Sequence, residues 1–425
     1  MGKVGFGSYR ISVRSKEHKD ALASAIENNC SLVDTSANYT DGESELLIGS
    51  VLSEKASFKP LIVTKGGYVQ GSNLKLLNNL HAEGKALNDL VDLGEGLKHS
   101  IHPDFLKSQI DQSLDRLKKD HIDTYLLHNP EYYFEQEDSN QEEYLRRIKL
   151  AFEFLEEEVK KGRIKNYGIS SNNFILPPAS PKATSLQSVL KTALSVDLKN
   201  HFKVIQFPFN LIEVGALEKL GDYEDESLLD CAQRFSLTTI VNRPLNAFSD
   251  NKLIRLATYD FMLKDFSEDK AVDLFNSCIE KIRDKWRESV SRDENIDDED
   301  FEDIPLLKQF KEIWKNLSSP DAVEQVYFGH FFPFIAKIWG GDGLDKNEAE
   351  PFYQLLEYSY LFSRKNMTNK AREFQNQASK VGLVPISGNH PFSVDVIETY
   401  LNYGFDFVLV GMKKEEYVSQ LKHLF

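Results

Sequence analysis

The chain has 425 residues and a formal net charge of −15, which argues against a nucleic-acid partner because an acidic surface repels phosphates. No run of about 18 apolar residues occurs, so no membrane-spanning helix is predicted, and the amino-terminal residues show no signal peptide. Cys30, Cys231 and Cys278 have no paired spacing. Such isolated thiols are typical of a reducing compartment, and the predicted location is the cytoplasm.

Eight short apolar segments have the composition of strands that are buried on both faces. They are VGFGSY (4–9), SLVDTS (31–36), LIVTKG (61–66), IDTYLLH (122–128), NYGISS (166–171), VIQFPF (204–209), TTIVNR (238–243) and FVLVG (407–411). Amphipathic helical patterns occur at 15–29, 44–55, 103–118, 150–161, 227–235 and 415–424. Eight strand–helix units predict an α/β fold, a closed (β/α)8 TIM barrel, in preference to an open sheet.

Two stretches are too long to be simple barrel connections. Residues 67–101 follow the third strand, and residues 248–374 separate the seventh strand from the eighth. The longer stretch has helical patterns near 267–289, 304–317, 321–338 and 350–378, and an acidic run at 292–303 that predicts a solvated loop. The predicted organisation is barrel strands 1–7 in 1–247, a large helical insertion in 248–374, and the eighth strand and last helix in 375–425.

Four reactive side chains come at or just after the ends of strands. Asp34 and Tyr39 follow the second strand, Lys65 lies in the third, and His128 ends the fourth. Because the carboxyl ends of barrel strands meet at one face, we expect these side chains to lie together. A free phenol has a pKa of about 10, and a nearby ammonium group would lower it. We therefore predict Tyr39 as a general acid tuned by Lys65, with Asp34 anchoring the lysine and His128 hydrogen-bonding a substrate carbonyl as a neutral imidazole.

The strand ends resemble those of the aldo-keto reductases, in the same order along the chain. The matching segments are VDTSANYTDGESE, VTKGG, LLHNP, YGISSNN, QFPFN, VNRPL and VLVGMKKEEY. The resemblance covers the barrel and neither insertion. It implies hydride transfer to or from a carbonyl carbon, with bound NADP(H) and with Asp34, Tyr39, Lys65 and His128 as the catalytic tetrad.

The same resemblance implies a set of cofactor-binding residues. It consists of Ser170, Ser171, Asn172, Gln206, Asn242, Arg243, Pro244, Leu245, Gly411, Met412, Lys413, Lys414 and Tyr417. Ser170 and Gln206 would hold the nicotinamide carboxamide. Asn242 stands where the family usually has an aromatic platform, so the plane of Arg243 is the expected substitute. The Lys413–Lys414 pair can hold a phosphate, which favours NADP(H), although NAD(H) stays possible.

The predicted function is an NADP(H)-dependent oxidoreductase that interconverts a small carbonyl compound (aldehyde, ketone or sugar) and its alcohol. The alternative is a non-catalytic binding or regulatory protein on the same barrel, like the potassium-channel β subunits. A cofactor-free hydrolase would need paired acids at strand ends, and only Asp34 fits. No metal site is predicted, since His99 and His102 have no third ligand nearby.

Overall fold

The computed structural model describes residues 2–54, 58–83, 87–177, 179–219, 226–249, 252–290, 301, 303–340, 343–385 and 390–425. The chain forms two compact units. The first comprises Met1–Ile254, Ser387–His390 and Val394–Phe425, and the second comprises Arg255–Ile386 and Pro391–Ser393.

Eight parallel strands of the first unit close into a barrel, as the sequence predicts. They are β1 (Lys3–Gly7), β2 (Leu32–Asp34), β3 (Leu61–Gly66), β4 (Ile122–His128), β5 (Ile164–Ser170), β6 (Phe202–Pro208), β7 (Thr238–Asn242) and β8 (Phe407–Gly411). Their order around the barrel is β1-β8-β7-β6-β5-β4-β3-β2. One buried cluster joins a residue from each of six strands: Leu32, Val63, Leu126, Val204, Ile240 and Leu409. The strand ends beyond this apolar layer carry the polar residues of the site.

Helices follow the strands. They are α1 (Lys16–Glu27), α2 (Glu43–Glu54), α3 (Pro103–Leu117), α4 (Gln141–Lys160), α5 (Leu186–Val196), α6 (Leu228–Arg234), α7 (Phe392–Asn402) and α8 (Glu415–Leu421). The predicted start of α4 at residue 150 is wrong. The side chain of Asn140 accepts from the Glu143 N–H at 3.0 Å and starts the helix nine residues earlier. Residue 55, the predicted end of α2, lies outside the described residues.

The 67–101 segment is structured. It contains a helix, Ser72–Ala82, and a three-stranded antiparallel sheet of Tyr68–Val69, Lys98–His99 and Val91–Asp92. Gly67 has φ 153°, and a Cβ there would lie 2.7 Å from His99 Nε2 and 2.8 Å from the His128 carbonyl oxygen. The glycine therefore allows His99 to approach the end of β4.

The second unit is helical, as predicted for the insertion. Its elements are Glu268–Val290, Pro305–Ile313, Pro320–Val326, a π-helical turn at Tyr327–Phe331, Phe332–Trp339 and Lys346–Lys380. The helix Lys346–Lys380 runs across residue 374, where the sequence predicts the end of the insertion. Most of the acidic run 292–303 lies outside the described residues. None of the described helices is long and apolar enough to cross a membrane.

Candidate functional site

The centre of the site is a buried lysine with three oxygen partners. Lys65 Nζ lies 2.7 Å from Asp34 Oδ1, 2.8 Å from the Thr35 carbonyl oxygen and 3.4 Å from the Tyr39 hydroxyl. Asp34 ends β2, Lys65 lies in β3, and Tyr39 begins the turn Tyr39–Gly42. The parallel pairing of β2 with β3 therefore brings together three residues that lie up to 31 positions apart.

Burial dominates the protonation of these groups. It raises the pKa of Asp34 and lowers the pKa of Lys65, because each charged form loses its hydration, and the ion pair between them offsets both shifts. Burial, followed by the negative charge of Asp34 and the phenol of Tyr9, raises the pKa of Tyr39 well above its usual value. The lowered pKa that the sequence predicts for Tyr39 does not hold, because burial outweighs the contact of its hydroxyl with Lys65.

His128, at the end of β4, completes the predicted tetrad. Its ring lies 6.1 Å from that of Tyr39, edge to face, and its Nδ1 lies 3.0 Å from Ser36 Oγ. Tyr68 packs against the same imidazole at 4.7 Å. Burial, followed by the charge of Lys65, holds the pKa of His128 well below its usual range, so the ring is neutral near pH 7.

A chain of polar groups crosses the barrel mouth from β5 to β2. Ser170 Oγ donates to Gln206 Oε1 at 3.0 Å, and Gln206 Nε2 donates to Asp34 Oδ2 at 2.8 Å. Asn242 Nδ2 approaches Gln206 Oε1 at 3.5 Å. Asn242 Oδ1 is buried and has no hydrogen-bond partner among the described residues. These amide and hydroxyl groups form one cluster beside the ion pair.

Other residues of the predicted cofactor set have structural partners. The Ser171 hydroxyl lies 2.9 Å from Thr184 Oγ1 and accepts from the Asn173 N–H at 3.1 Å, so it caps a short turn. The Asn172 N–H donates to the carboxylate of Glu131 at 2.8 Å. Arg243, with φ 54°, donates to Glu213 at 2.5 Å. Pro244 is buried and Leu245 half-buried just beyond it.

The Lys413–Lys414 pair follows β8. This strand pairs with one edge of β1, and β2 pairs with the other edge. Gly411 ends the strand, Met412 is fully buried, and Lys413, Lys414 and Tyr417 are half-buried at the start of α8. Lys414 Nζ lies 2.9 Å from Glu17 Oε1, on α1. A phosphate bound by Lys414 would therefore compete with an existing carboxylate.

Sequence patterns missed several residues that contact the tetrad. Ser36 lies in the segment between Asp34 and Tyr39. The only sequence signal that could have identified it is a polar residue inside a buried strand end. Tyr68 comes from the 67–101 segment, as does His99, whose Nε2 lies 2.7 Å from the His128 carbonyl oxygen. Burial lowers the pKa of His99 to about 4.

One group of potential metal ligands lies far along the sequence from the tetrad residues. Among the described residues, His390, Glu398 and His423 have ligand atoms within 4.8 Å of one another. His102 instead caps α3, where its side chain accepts from the Asp104 N–H at 3.3 Å. None of the tetrad residues belongs to that group of three.

The family assignment rests on the sequence of the barrel. Residues 1–247 match the model of the aldo/keto reductase family. The chain belongs to the aldo/keto reductase family. The matched range contains β1–β7 and therefore includes Asp34, Tyr39, Lys65 and His128.

Individual relatives of this family member are distant. The uncharacterized oxidoreductase YqkF of Bacillus subtilis (strain 168) is 27% identical over 171 residues, which cover 40% of this chain and 45% of that protein. An aldo/keto reductase from Klebsiella pneumoniae, solved with NADP and acetate, is 17% identical with a TM-score of 0.36 and covers 57% of this chain and 64% of that one. The glycerol dehydrogenase of Gluconobacter oxydans is 15% identical with a TM-score of 0.46, and the match covers 99% of this chain and 86% of that one.

Proposed function

We propose that this chain is an NADP(H)-dependent oxidoreductase that interconverts a carbonyl compound and its alcohol. The observation that carries the proposal is the buried Lys65 ammonium, which contacts the Asp34 carboxylate and the Tyr39 hydroxyl together. A lysine, a phenol and a neutral imidazole at one barrel face are groups that can donate a proton to, and orient, a reacting oxygen.

Tyr39 delivers or accepts the proton in this proposal. Its raised pKa keeps the phenol protonated near pH 7, as a general acid requires. Lys65 stabilises the phenolate that forms when the proton leaves, and Asp34 holds Lys65 at the required place. His128 contacts the substrate oxygen and orients it.

The polar cluster beside the tetrad fits a nicotinamide. A carboxamide has one acceptor oxygen and two N–H donors, and Asn242 Oδ1 is a buried acceptor for which the described part of the chain offers no partner. The second N–H of Gln206 and the lone pairs of Ser170 complement the same group. When bound, the nicotinamide supplies or takes up the hydride. The guanidinium of Arg243 is the planar group proposed to pack against it, while Ser171 and Asn172 support the neighbouring turn.

The experiment that tests this assignment is Tyr39→Phe. We expect carbonyl reduction to fall by more than about a hundredfold in kcat, because the phenol is needed for proton transfer in the transition state. NADPH binding, followed by its fluorescence, should change little. Wild-type turnover in the variant would contradict the tetrad. NADPH binding without turnover of any carbonyl in the wild-type protein would instead support the regulatory alternative.

Cofactor preference is proposed to depend on Lys413 and Lys414. We expect NADPH to bind tighter than NADH, because a charge-assisted phosphate contact contributes roughly 1.5–3 kcal/mol. The double variant Lys413→Glu/Lys414→Glu should remove most of the difference, whereas Lys422→Glu should keep it. Titration of each protein with both cofactors measures this. Equal wild-type affinities would show that the lysines do not hold the phosphate.

A further inference from the structure

Ser36 occupies the space between the tetrad histidine and the turn that carries Tyr39. Its hydroxyl oxygen lies 2.7 Å from Asn38 Oδ1, 3.0 Å from His128 Nδ1 and 3.3 Å from the Lys65 carbonyl oxygen. Ser36 and His128 are both buried. The Ser36 hydroxyl therefore determines whether Nδ1 of the His128 imidazole donates or accepts a hydrogen bond.

The number of protons decides the direction of these hydrogen bonds. A serine hydroxyl carries one proton and two lone pairs, whereas the amide oxygen of Asn38 and a backbone carbonyl only accept. The Lys65 carbonyl already accepts from the Ala37 N–H at 3.1 Å. The Ser36 proton goes to Asn38 Oδ1, because two oxygens 2.7 Å apart need a proton between them and this is the shortest contact of the hydroxyl. The remaining contact is satisfied when His128 Nδ1 carries a proton and donates it to Ser36.

We propose that Ser36, held by Asn38, sets the hydrogen-bonding polarity of His128, so that its Nε2 presents a lone pair to the substrate. A neutral imidazole has one protonated nitrogen, and protonated Nδ1 leaves Nε2 as an acceptor. In this state Nε2 accepts a ground-state hydrogen bond from the hydroxyl of a bound alcohol, whose proton passes to Tyr39 only in the reaction. Binding of a carbonyl oxygen requires the Ser36 hydroxyl to turn from Asn38 to Nδ1, with the ring proton on Nε2.

A second buried histidine provides an internal reference. His99 Nε2 lies 2.7 Å from the carbonyl oxygen of His128 itself. Since a carbonyl can only accept, His99 must be protonated on Nε2. The two neighbouring histidines are thus expected in opposite tautomers in one molecule, and no change at Ser36 alters the partner of His99.

The test is a ¹⁵N–¹H correlation spectrum of the full chain with ¹⁵N-labelled histidine, near pH 7. Among ten histidines, the signals of His128 and His99 are assigned by their loss in His128→Gln and His99→Gln. We expect Nδ1–H for His128 and Nε2–H for His99. In Ser36→Ala, the His128 signals should move towards the Nε2–H form while those of His99 stay. Ser36→Thr, which keeps a hydroxyl, should retain Nδ1–H.

A matched control is Ser113→Ala, which removes another fully buried serine hydroxyl, in α3. It should leave both tautomers unchanged. Nε2–H for His128 in the wild-type protein would overturn the proposal, and so would an unchanged His128 signal in Ser36→Ala. The wild-type spectrum decides the polarity even if Ser36→Ala does not fold.

The consequence for substrate binding rests on the proposed function and is tested separately. A tertiary alcohol cannot be oxidised but can donate its hydroxyl proton to Nε2. Its affinity for the NADP⁺ complex should fall about threefold to tenfold in Ser36→Ala, as for one lost hydrogen bond. Unchanged affinity would overturn the substrate part of the inference. If the protein fails to bind NADP(H) at all, the proposed function fails while the tautomer result still stands.

Discussion

At the scale of single residues, the site keeps several ionisable groups out of water. Asp34, Lys65 and His128 are each less than 10% exposed. Burial shifts the pKa of each residue in the direction that favours its neutral form. The ion pair between Lys65 and Asp34 opposes this effect of burial on its two members. Removing either partner would leave an unpaired buried charge.

Glu131 supplies a prediction on pH dependence. It lies three residues after His128, and burial is the main reason that its pKa is raised from 4.5 to about 7. Between these values the folded protein binds more protons than the unfolded chain, so stability falls as pH rises through this window. The total cost is roughly 3 kcal/mol above pH 7. Glu131→Gln should abolish this loss.

Denaturation of both proteins from pH 4 to pH 8 measures the effect. Glu137→Gln changes an exposed carboxyl of the same segment and serves as the control. It should retain the wild-type dependence on pH. A wild-type stability that rises steadily across this range would show that Glu131 ionises normally.

At the scale of elements, β3 is supported from behind by two helices. Glu45 of α2 is fully buried and accepts from Thr64 Oγ1 at 2.5 Å and from Arg116 Nε, on α3, at 2.7 Å. Thr64 directly precedes Lys65. The same carboxylate therefore fixes the strand that presents the lysine to the site.

We predict that Arg116→Met destabilises the barrel by about 3–5 kcal/mol, because it leaves Glu45 as an uncompensated buried charge. Lys107→Met breaks an exposed pair with Asp111 on the same helix and should cost at most about 1 kcal/mol. Urea denaturation of the two variants gives the comparison. The double variant Glu45→Gln/Arg116→Met should recover part of the loss. Equal effects of the two single changes would mean that the buried pair has no special role.

At the scale of the whole molecule, the two units have separate apolar cores. The second is aromatic, with Phe331 stacked on Phe310 at a ring distance of 3.9 Å and Phe275 stacked on Trp314 at 4.4 Å. Phe331 is fully buried in this core.

Phe331→Ala is predicted to unfold the second unit selectively. Truncation of a buried phenylalanine costs about 3–5 kcal/mol. Calorimetry should show one transition moved to lower temperature and the barrel transition retained. If both transitions move together, the two units unfold as one cooperative body.

The sequence by itself determined the barrel, because strands buried on both faces are continuous apolar runs and their ends carry the reactive residues. β3, β4 and β8 have the predicted bounds. Helix starts such as that of α4 depended on a single capping residue. Helices α5 and α7 were not predicted, although Leu186, Val189, Leu190 and Ala193 of α5 recur at helical spacing. The protonation of the site was decided only by tertiary structure. The shifts at Tyr39 and Glu131, and the contact of Ser36 with His128 across 92 positions, arise from burial and proximity, which a one-dimensional pattern does not contain.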